Sequence, residues 1–366
     1  MPWGDPTSTR RRIQADNSIP YSTGNATLSV QHVGMLKRLM FRLNAAYAYT
    51  KSTGPSVRDA LGPWNIVSNL NVKVNAVGTF LDVSMWHLYL YNLVHYKNVN
   101  FDPGSSDNVN IQNTVAATDI FNNPAVPGAT GPIAGVLGML YFPLTIEVAG
   151  IREVGLWTLQ NDEVNLQITP QWNPTPASVT ALVGPYDIVG GDSFAVTTAS
   201  TSLDIVREFY AVPKARSDYP IVGWFHQLVN QRTPMVTNIT DVPIPKGGVV
   251  IRAIHQLVSA GTSLMTGANI SRLSWLYGSN ETPYDESYQD VEIRQRALYG
   301  HDLPTGVLTH DFWGIGGQTF RDCFDTNDYQ NMRARITTPT APAAGSYVDT
   351  LIERVIPIRG DAEKLW

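Results

Sequence analysis

The chain has 366 residues, of which 43% are apolar and only 16% are charged, and its formal net charge is −5 at pH 7. This modestly acidic balance argues against a protein that binds nucleic acid over a broad surface, because such proteins are normally basic. With so few charges, a soluble protein of this length is expected to bury much of its surface against copies of itself or other partners.

The N-terminal segment, residues 1–30, carries three consecutive arginines, Arg10, Arg11 and Arg12. No apolar run follows them, which excludes a twin-arginine signal. The simpler interpretation is a solvated, mobile arm. The alternative is that the arginines contact an anionic surface such as lipid headgroups.

The next two segments are predicted to be half-buried strands. Leu36–Thr50 and Ser68–Gly78 both alternate between apolar and polar residues, which is the period of a strand. Their predicted apolar faces are Leu39, Phe41 and Leu43 in the first segment, and Leu70, Val72, Val74 and Ala76 in the second.

Met85–Tyr96 breaks the alternation and is predicted to be a helix with Leu88, Tyr91, Leu93 and Tyr96 near one side. Ala129–Ile146 has eighteen residues without a charge, which is about the minimum length of a membrane span. Its prolines and glycines favour a loop followed by a buried strand instead.

The rest of the chain continues as strands separated by clusters of Pro, Gly, Asn, Asp and Ser. One further helix is predicted over Asp285–Gly300, with Asp285 as its N-cap, Gly300 as its end, and Tyr288, Val291 and Ala297 facing inward. The two halves share an order of elements, and each has a late twelve-residue strand, Ser202–Pro213 and Ser346–Pro357. A polar stretch at residues 214–223 is the predicted linker between them.

No catalytic constellation is visible in the sequence. His87 and His95 are eight residues apart, a separation of about 12 Å on a helix, so they cannot share a metal ion. The single cysteine, Cys323, cannot form a disulfide within the chain. The sequence therefore predicts no enzymatic activity, no cofactor and no metal site, and favours a structural protein.

Two stretches, "GPWNIVSNLNVKVN" at Gly62–Asn75 and "MWHLYLYN" at Met85–Asn92, resemble a known family. They are similar to the double jelly-roll major capsid proteins of tailless, internal-membrane-containing bacteriophages, the tectivirus type. Trp224–Gly261 is similar to the entry to that family's second barrel. The residues that match, to which the resemblance gives structural or assembly roles, are Gly62, Pro63, Asn65, Trp86, His87, Leu88 and Asn92.

The resemblance implies an all-β fold of two eight-stranded jelly-roll barrels side by side, with short helical insertions and long loops. It implies an N-terminal arm at 1–30, a first jelly roll at 31–213, a linker at 214–223, a second jelly roll at 224–357 and a C-terminal tail at 358–366. The long loop Phe101–Gly131 is then expected to lie at contacts between subunits.

The function that the resemblance implies is that of a major capsid protein in the virion, assembled in the host cytoplasm. Homotrimers would form pseudo-hexagonal tiles of an icosahedral shell around an inner membrane and genome. The implied partners are neighbouring trimers, penton or vertex proteins and minor capsid proteins, with no sequence-specific nucleic-acid binding. Arg10, Arg11 and Arg12 are the candidates for a contact between the inner surface and the viral membrane.

Two alternatives from other classes stay open at this point. One is a carbohydrate-binding β-sandwich, such as a spike or lectin-like protein, whose sugar platform would use the 16 tyrosines and 9 tryptophans. The other is a metal-dependent cupin-type enzyme, which the spacing of the histidines disfavours.

Overall fold

A computed structural model describes residues 11–22, 24, 26–30, 34–50, 57–58, 61, 64–74, 78–96, 112–113, 130–148, 151–154, 157–158, 165–174, 177–178, 186–187, 193–196, 201–212, 224–261, 263–278, 281–313, 323–327 and 331–357. Within these residues the chain is built mainly of strands. No helix among them is long and apolar enough to span a membrane.

The chain divides into two compact units. Unit 1 comprises Met1–Asn92, Asn98–Ile146 and Gly155–Val222. Unit 2 comprises Leu93–Lys97, Glu147–Val154 and Gly223–Trp366.

The elements of the first 222 residues are mostly strands. They are β1 (Arg11–Pro20), β2 (Leu28–Ser29), β3 (Met35–Thr50), β4 (Val57–Arg58), a 3-10 turn (Trp64–Ile66), β5 (Val67–Val74), β6 (Gly78–Val83), α1 (Met85–Tyr96), β7 (Gln112–Asn113), β8 (Thr130–Pro143), β9 (Ile146–Val148), β10 (Ile151–Val154), β11 (Trp157–Thr158), β12 (Leu166–Trp172), β13 (Ala177–Ser178), β14 (Tyr186–Asp187), β15 (Ser193–Val196) and β16 (Ser202–Tyr210).

Two larger sheets form unit 1. One has the strand order β1-β16-β3-β8-β7, with β11 and β15 also paired to β3, and the other contains β2-β12-β5-β6. Strands β3 and β5 follow the predicted alternation: Leu39, Phe41 and Leu43 are fully buried, whereas Arg42 between them is exposed. Of the charge-free segment Ala129–Ile146, residues Thr130–Pro143 form strand β8, so the predicted strand is present but it begins where a loop was expected.

The elements of the remaining chain are β17 (Trp224–Pro234), β18 (Ile239–Pro243), β19 (Val249–Ser259), β20 (Ser263–Leu264), a 3-10 turn (Gly267–Asn269), β21 (Arg272–Tyr277), β22 (Glu281–Ser287), α2 (Tyr288–Tyr299), β23 (Val307–Asp311), β24 (Phe324–Asp325), β25 (Arg333–Thr337) and β26 (Tyr347–Pro357).

Unit 2 is a sandwich of two sheets around one apolar core. One sheet contains β17-β26-β19-β20, with β23 and β24 paired to β19, and the other has the order β18-β25-β21-β22. The core draws residues from both sheets, for example Ala253 and Ile352 from the first and Trp275 and Ile336 from the second. Strands that alternate inward and outward residues bury one face in this way.

Helix α2 covers the outer edge of strand β23. The Gln295 side chain donates from Nε2 to the Val307 carbonyl (3.3 Å), and its Oε1 accepts from the Thr309 N–H (3.1 Å). Arg294 Nη2 donates to the Thr309 carbonyl (3.0 Å). These side chains satisfy backbone groups that a neighbouring strand would otherwise pair.

The two predicted helices are present, with corrections to their details. Helix α1 has the predicted bounds, but it is buried on nearly all sides rather than along one stripe. Helix α2 begins after Ser287, whose side chain accepts the Asp290 N–H, so the predicted N-cap Asp285 was wrong. Gly300 ends the helix at φ 78°, as predicted. Ala297 is exposed, and Gln295 and Tyr299 face inward with Val291 instead.

The prediction of a mobile N-terminal arm was wrong for Arg11–Pro20, because these residues form strand β1 and pair with β16. Most of the loop Phe101–Gly131 and the linker at 214–223 lie outside the described residues.

Candidate functional site

Helix α1 holds four of the seven residues that the resemblance assigned to assembly: Trp86, His87, Leu88 and Asn92. Ser84 precedes the helix, and its hydroxyl accepts the His87 N–H (3.2 Å), as an N-cap residue does. The same hydroxyl lies 2.6 Å from His87 Nδ1. His87 is thus buried, and it contacts the residue that caps the start of the helix.

An aromatic stack fixes the helix within unit 1. The Trp86 ring lies 5.2 Å from Tyr89, and Tyr89 stacks on Trp64 at 5.5 Å with an interplanar angle of 20°. Each of these side chains is at most 4% exposed. Offset and tilted aromatic pairs stabilise beyond the area they bury.

Asn92 joins the helix to strand β8. It is fully buried, and its Nδ2 donates to the Leu88 carbonyl (2.7 Å) and to the Tyr141 carbonyl (3.0 Å). Its Oδ1 accepts the Tyr141 N–H (2.8 Å). The amide therefore pairs with β8 as a strand residue would, and a buried amide with such partners fixes one arrangement of helix and strand.

The other sequence-predicted residues are distributed as follows. Asn65 is buried in the 3-10 turn before β5, where its carbonyl accepts from Asn173 Nδ2 (3.2 Å). Gly62, Pro63 and Arg10 lie outside the described residues. The structure thus brings the described residues of helix α1 together in one packed cluster.

Arg11 and Arg12 lie on strand β1 and are both exposed. Arg11 Nε is 2.5 Å from Glu208 Oε1, and the other oxygen of this carboxylate, Oε2, binds Arg38. Arg11 therefore already forms an ion pair on the surface of its own sheet.

Unit 2 contains a buried network of charges that the sequence did not predict. Arg252 donates from Nε to Asp311 (2.9 Å) and from Nη1 to Glu353 (2.7 Å), and all three side chains are at most 5% exposed. His226 Nε2 lies 3.2 Å from Glu353, and the Tyr299 hydroxyl donates to Asp311 (2.9 Å). Neighbouring strands supply these groups, since Arg252 is paired with both Asp311 and Glu353 in the sheet register.

The mutual attraction within this network outweighs the cost of burial. Burial alone would raise the pKa of Glu353, but Arg252 and the hydrogen bond from His226 lower it to about 2. Burial alone would lower the pKa of Arg252, but Asp311 and Glu353 raise it. Glu353 and Arg252 therefore stay charged, and their ion pair links two neighbouring strands of the sheet.

Two more histidines meet in the interior of unit 2. His255 Nε2 lies 3.0 Å from His310 Nδ1, and His255 Nδ1 lies 2.9 Å from the Thr350 hydroxyl. Burial lowers the pKa of His255 to about 3 and the pKa of His310 well below its usual value. Burial also lowers the pKa of His95, at the end of α1, to about 4. Among the described residues, no group of three or more His, Cys, Asp or Glu could hold a metal ion.

We expect these three histidines to make unit 2 less stable as the pH falls. Their pKa values are below 6.5 in the folded state, so the unfolded chain binds more protons below that pH and the free energy of unfolding decreases. Between about pH 7.5 and about pH 6 the loss should be about 0.8 kcal/mol for each histidine.

Denaturant unfolding at the two pH values measures this difference. His310→Phe keeps a ring at the site and removes one titrating group, so it should reduce the pH-dependent loss by about one third. Equal stability at both pH values would contradict the expectation.

Comparison with solved structures identifies proteins of similar architecture. The MCP, or major capsid protein, of Sulfolobus turreted icosahedral virus matches with TM-score 0.65 and 12% identity, over 98% of this chain and 100% of that one. A chain in the atomic structure of the same virus matches with TM-score 0.66 and 12% identity, over 95% and 91%. The Faustovirus major capsid protein matches with TM-score 0.55 and 10% identity, over 96% and 90%.

No protein-family model matches the chain, and no curated protein matches its sequence significantly. At identities near 12% the structural likeness shows a shared fold, and this fold is the double jelly roll that the resemblance implied.

Proposed function

We propose that this chain, which has the double jelly-roll fold of viral major capsid proteins, is itself the major capsid protein of an icosahedral virus. The observation that carries the proposal is the extent of the match to the turreted-virus MCP, which covers 98% of this chain and 100% of that one. The correspondence therefore includes both compact units of this chain.

In this proposal residues 31–213 form the first jelly roll, 214–223 the linker and 224–357 the second, with 1–30 and 358–366 as terminal segments. Three copies form a pseudo-hexagonal tile, and tiles pave the shell in contact with vertex and minor capsid proteins. The low charged fraction, 16%, supports a subunit that buries much of its surface in such contacts.

A contact with an inner membrane is also part of the proposal. Arg12 is exposed on β1 and is suited to an anionic headgroup. Arg11 is a weaker candidate than the sequence indicated, because it already pairs with Glu208.

The proposed role is structural rather than enzymatic. In unit 2 the buried Arg252 pairs with Asp311 and Glu353, and this network supports a role in fixing the packing of strands.

A sugar platform receives no support from the tryptophans. Every tryptophan whose burial the structure describes is at most 8% exposed; these are Trp64, Trp86, Trp172, Trp224, Trp275 and Trp313. Rings that fill the interior cannot stack on a glycan at the surface.

Analytical ultracentrifugation of the purified protein tests the proposal. We expect a species of three times the chain mass of 40.3 kDa, and electron microscopy should show pseudo-hexagonal particles of that size. A stable monomer at micromolar concentration would contradict the trimeric tile.

A further inference from the structure

Strand β1 is the outermost strand of its sheet. It pairs with β16 from Arg11↔Tyr210 to Pro20↔Ser202, and the register is interrupted by a bulge between Ala15 and Ser18. Within the part of the chain that the structure describes, β16 is its only strand neighbour.

Few apolar contacts hold β1 in place. Of its described side chains only Ile19 is buried, and Ile13 is 58% exposed. Because hydrophobic stabilisation scales with the apolar area removed from water, β1 gains little from this source. Its side chains are attached mainly by two polar contacts, Arg11 to Glu208 (2.5 Å) and Ser18 to Asp204 (2.6 Å).

The site that receives β1 does not depend on β1 for its own structure. Glu208 is also bound by Arg38 Nε (2.8 Å), and Asp204 also accepts from Arg42 (2.5 Å). A second strand with the same sequence would therefore find both carboxylates already in position.

The connection after β1 is short. Tyr21 is fixed by its N–H to the Thr201 carbonyl (2.9 Å), and the next paired residue is Leu28, in β2. The seven residue steps between them span up to about 23 Å when extended. Gly24 lies on this connection, and a Cβ there would meet only the Ser22 hydroxyl, at 3.7 Å. Thr27 Oγ1 already lies 2.9 Å from Thr169 Oγ1, so an exchange would redirect the chain between Tyr21 and Thr27.

We propose that β1 exchanges between copies, so that Arg11–Pro20 of one copy pairs with β16 of a second copy in the same register. The contacts with Glu208 and Asp204 are identical in the closed and exchanged forms. Exchange therefore loses no contact, and it ties two chains together. The inference rests on the proposed function, because the assembled shell supplies the neighbouring copies at high effective concentration.

Separate single-cysteine chains test the exchange. Ala15 and Val206 are direct partners across β1 and β16, and the Cα atoms of such partners lie about 4.5–5.5 Å apart, within disulfide range. One chain carries Ala15→Cys and a differently tagged chain carries Val206→Cys, both with Cys323→Ser. After mixing, assembly and oxidation, we expect a covalent dimer that contains both tags.

The matched control uses the other neighbour of the same residue. Val206 is also the direct partner of Met40 in the central strand β3, so Met40→Cys mixed with Val206→Cys should give no dimer with both tags. If oligomers form but only a chain carrying both Ala15→Cys and Val206→Cys closes a disulfide, within itself, the exchange is refuted and the capsid role stands. If no oligomer forms by ultracentrifugation, both proposals fail.

Discussion

Replacing Arg252 by methionine should lower the free energy of unfolding of unit 2 by about 3–5 kcal/mol. The change leaves Asp311 and Glu353 as two carboxylates in the interior, 1% and 3% exposed, without the guanidinium that compensates them. Removing one partner of a buried ionic network destabilises the fold by far more than the intact network stabilises it. The reason is that the remaining charge has no water to solvate it. Urea unfolding followed by tryptophan fluorescence measures the loss.

Arg296→Met is the matched control, since Arg296 also forms a short ion pair, 2.7 Å from Asp302, but both side chains are about 70% exposed. We expect no measurable change in this variant. Adding Glu353→Gln to Arg252→Met should recover part of the stability, because it removes one unpaired charge. A loss in Arg252→Met no larger than that in Arg296→Met would show that the buried network does not hold unit 2 together.

Replacing Trp86 by alanine should cost about 3–5 kcal/mol, the usual range for removing a buried tryptophan. The side chain is 4% exposed, and its ring packs on Tyr89, which in turn stacks on Trp64. The cavity would lie at the first turn of α1, so the contact of Asn92 with β8 should weaken as well. Thermal or chemical unfolding of unit 1 measures the loss.

Ile293→Ala provides the control for this prediction, because Ile293 is a large apolar residue on helix α2 that is 69% exposed. It should change stability by no more than about 0.5 kcal/mol. If Trp86→Ala proved equally mild, the aromatic stack would not be what fixes α1.

The sequence was sufficient to predict an element and its buried face where local periodicity determines them. The bounds of α1 and the buried faces of β3 and β5 follow from spacing alone, because period and burial are coupled within each element. Asp285 and Ser287 are both suited to an N-cap, and spacing could not choose between them. The pairing of β22 with β21 makes the choice: it extends to Ser287, the partner of Arg272, so Asp285 lies within the strand and the helix begins only after Ser287.

The polar contacts inside unit 2 could not be predicted from the sequence either, because they too depend on which strands pair and in which register. His255 and His310 are 55 positions apart and meet only because β19 and β23 pair in one register. A shift of one residue would turn every side chain of a strand to the opposite face. No local signal marks either histidine, and each by itself is typical of a structural residue. The role of Asn92 was assigned only by resemblance, and its bonds to Tyr141 are the physical reason for an asparagine there.

The contacts of Gln295 and Arg294 with strand β23 have a consequence for how the protein can polymerise. Backbone groups at Val307 and Thr309 that could template an incoming chain are already occupied by side chains of the same molecule. A foreign strand would have to displace helix α2 before it could add to this side of the sheet. The occupied edge therefore disfavours the growth of fibres by strand addition when the protein is concentrated.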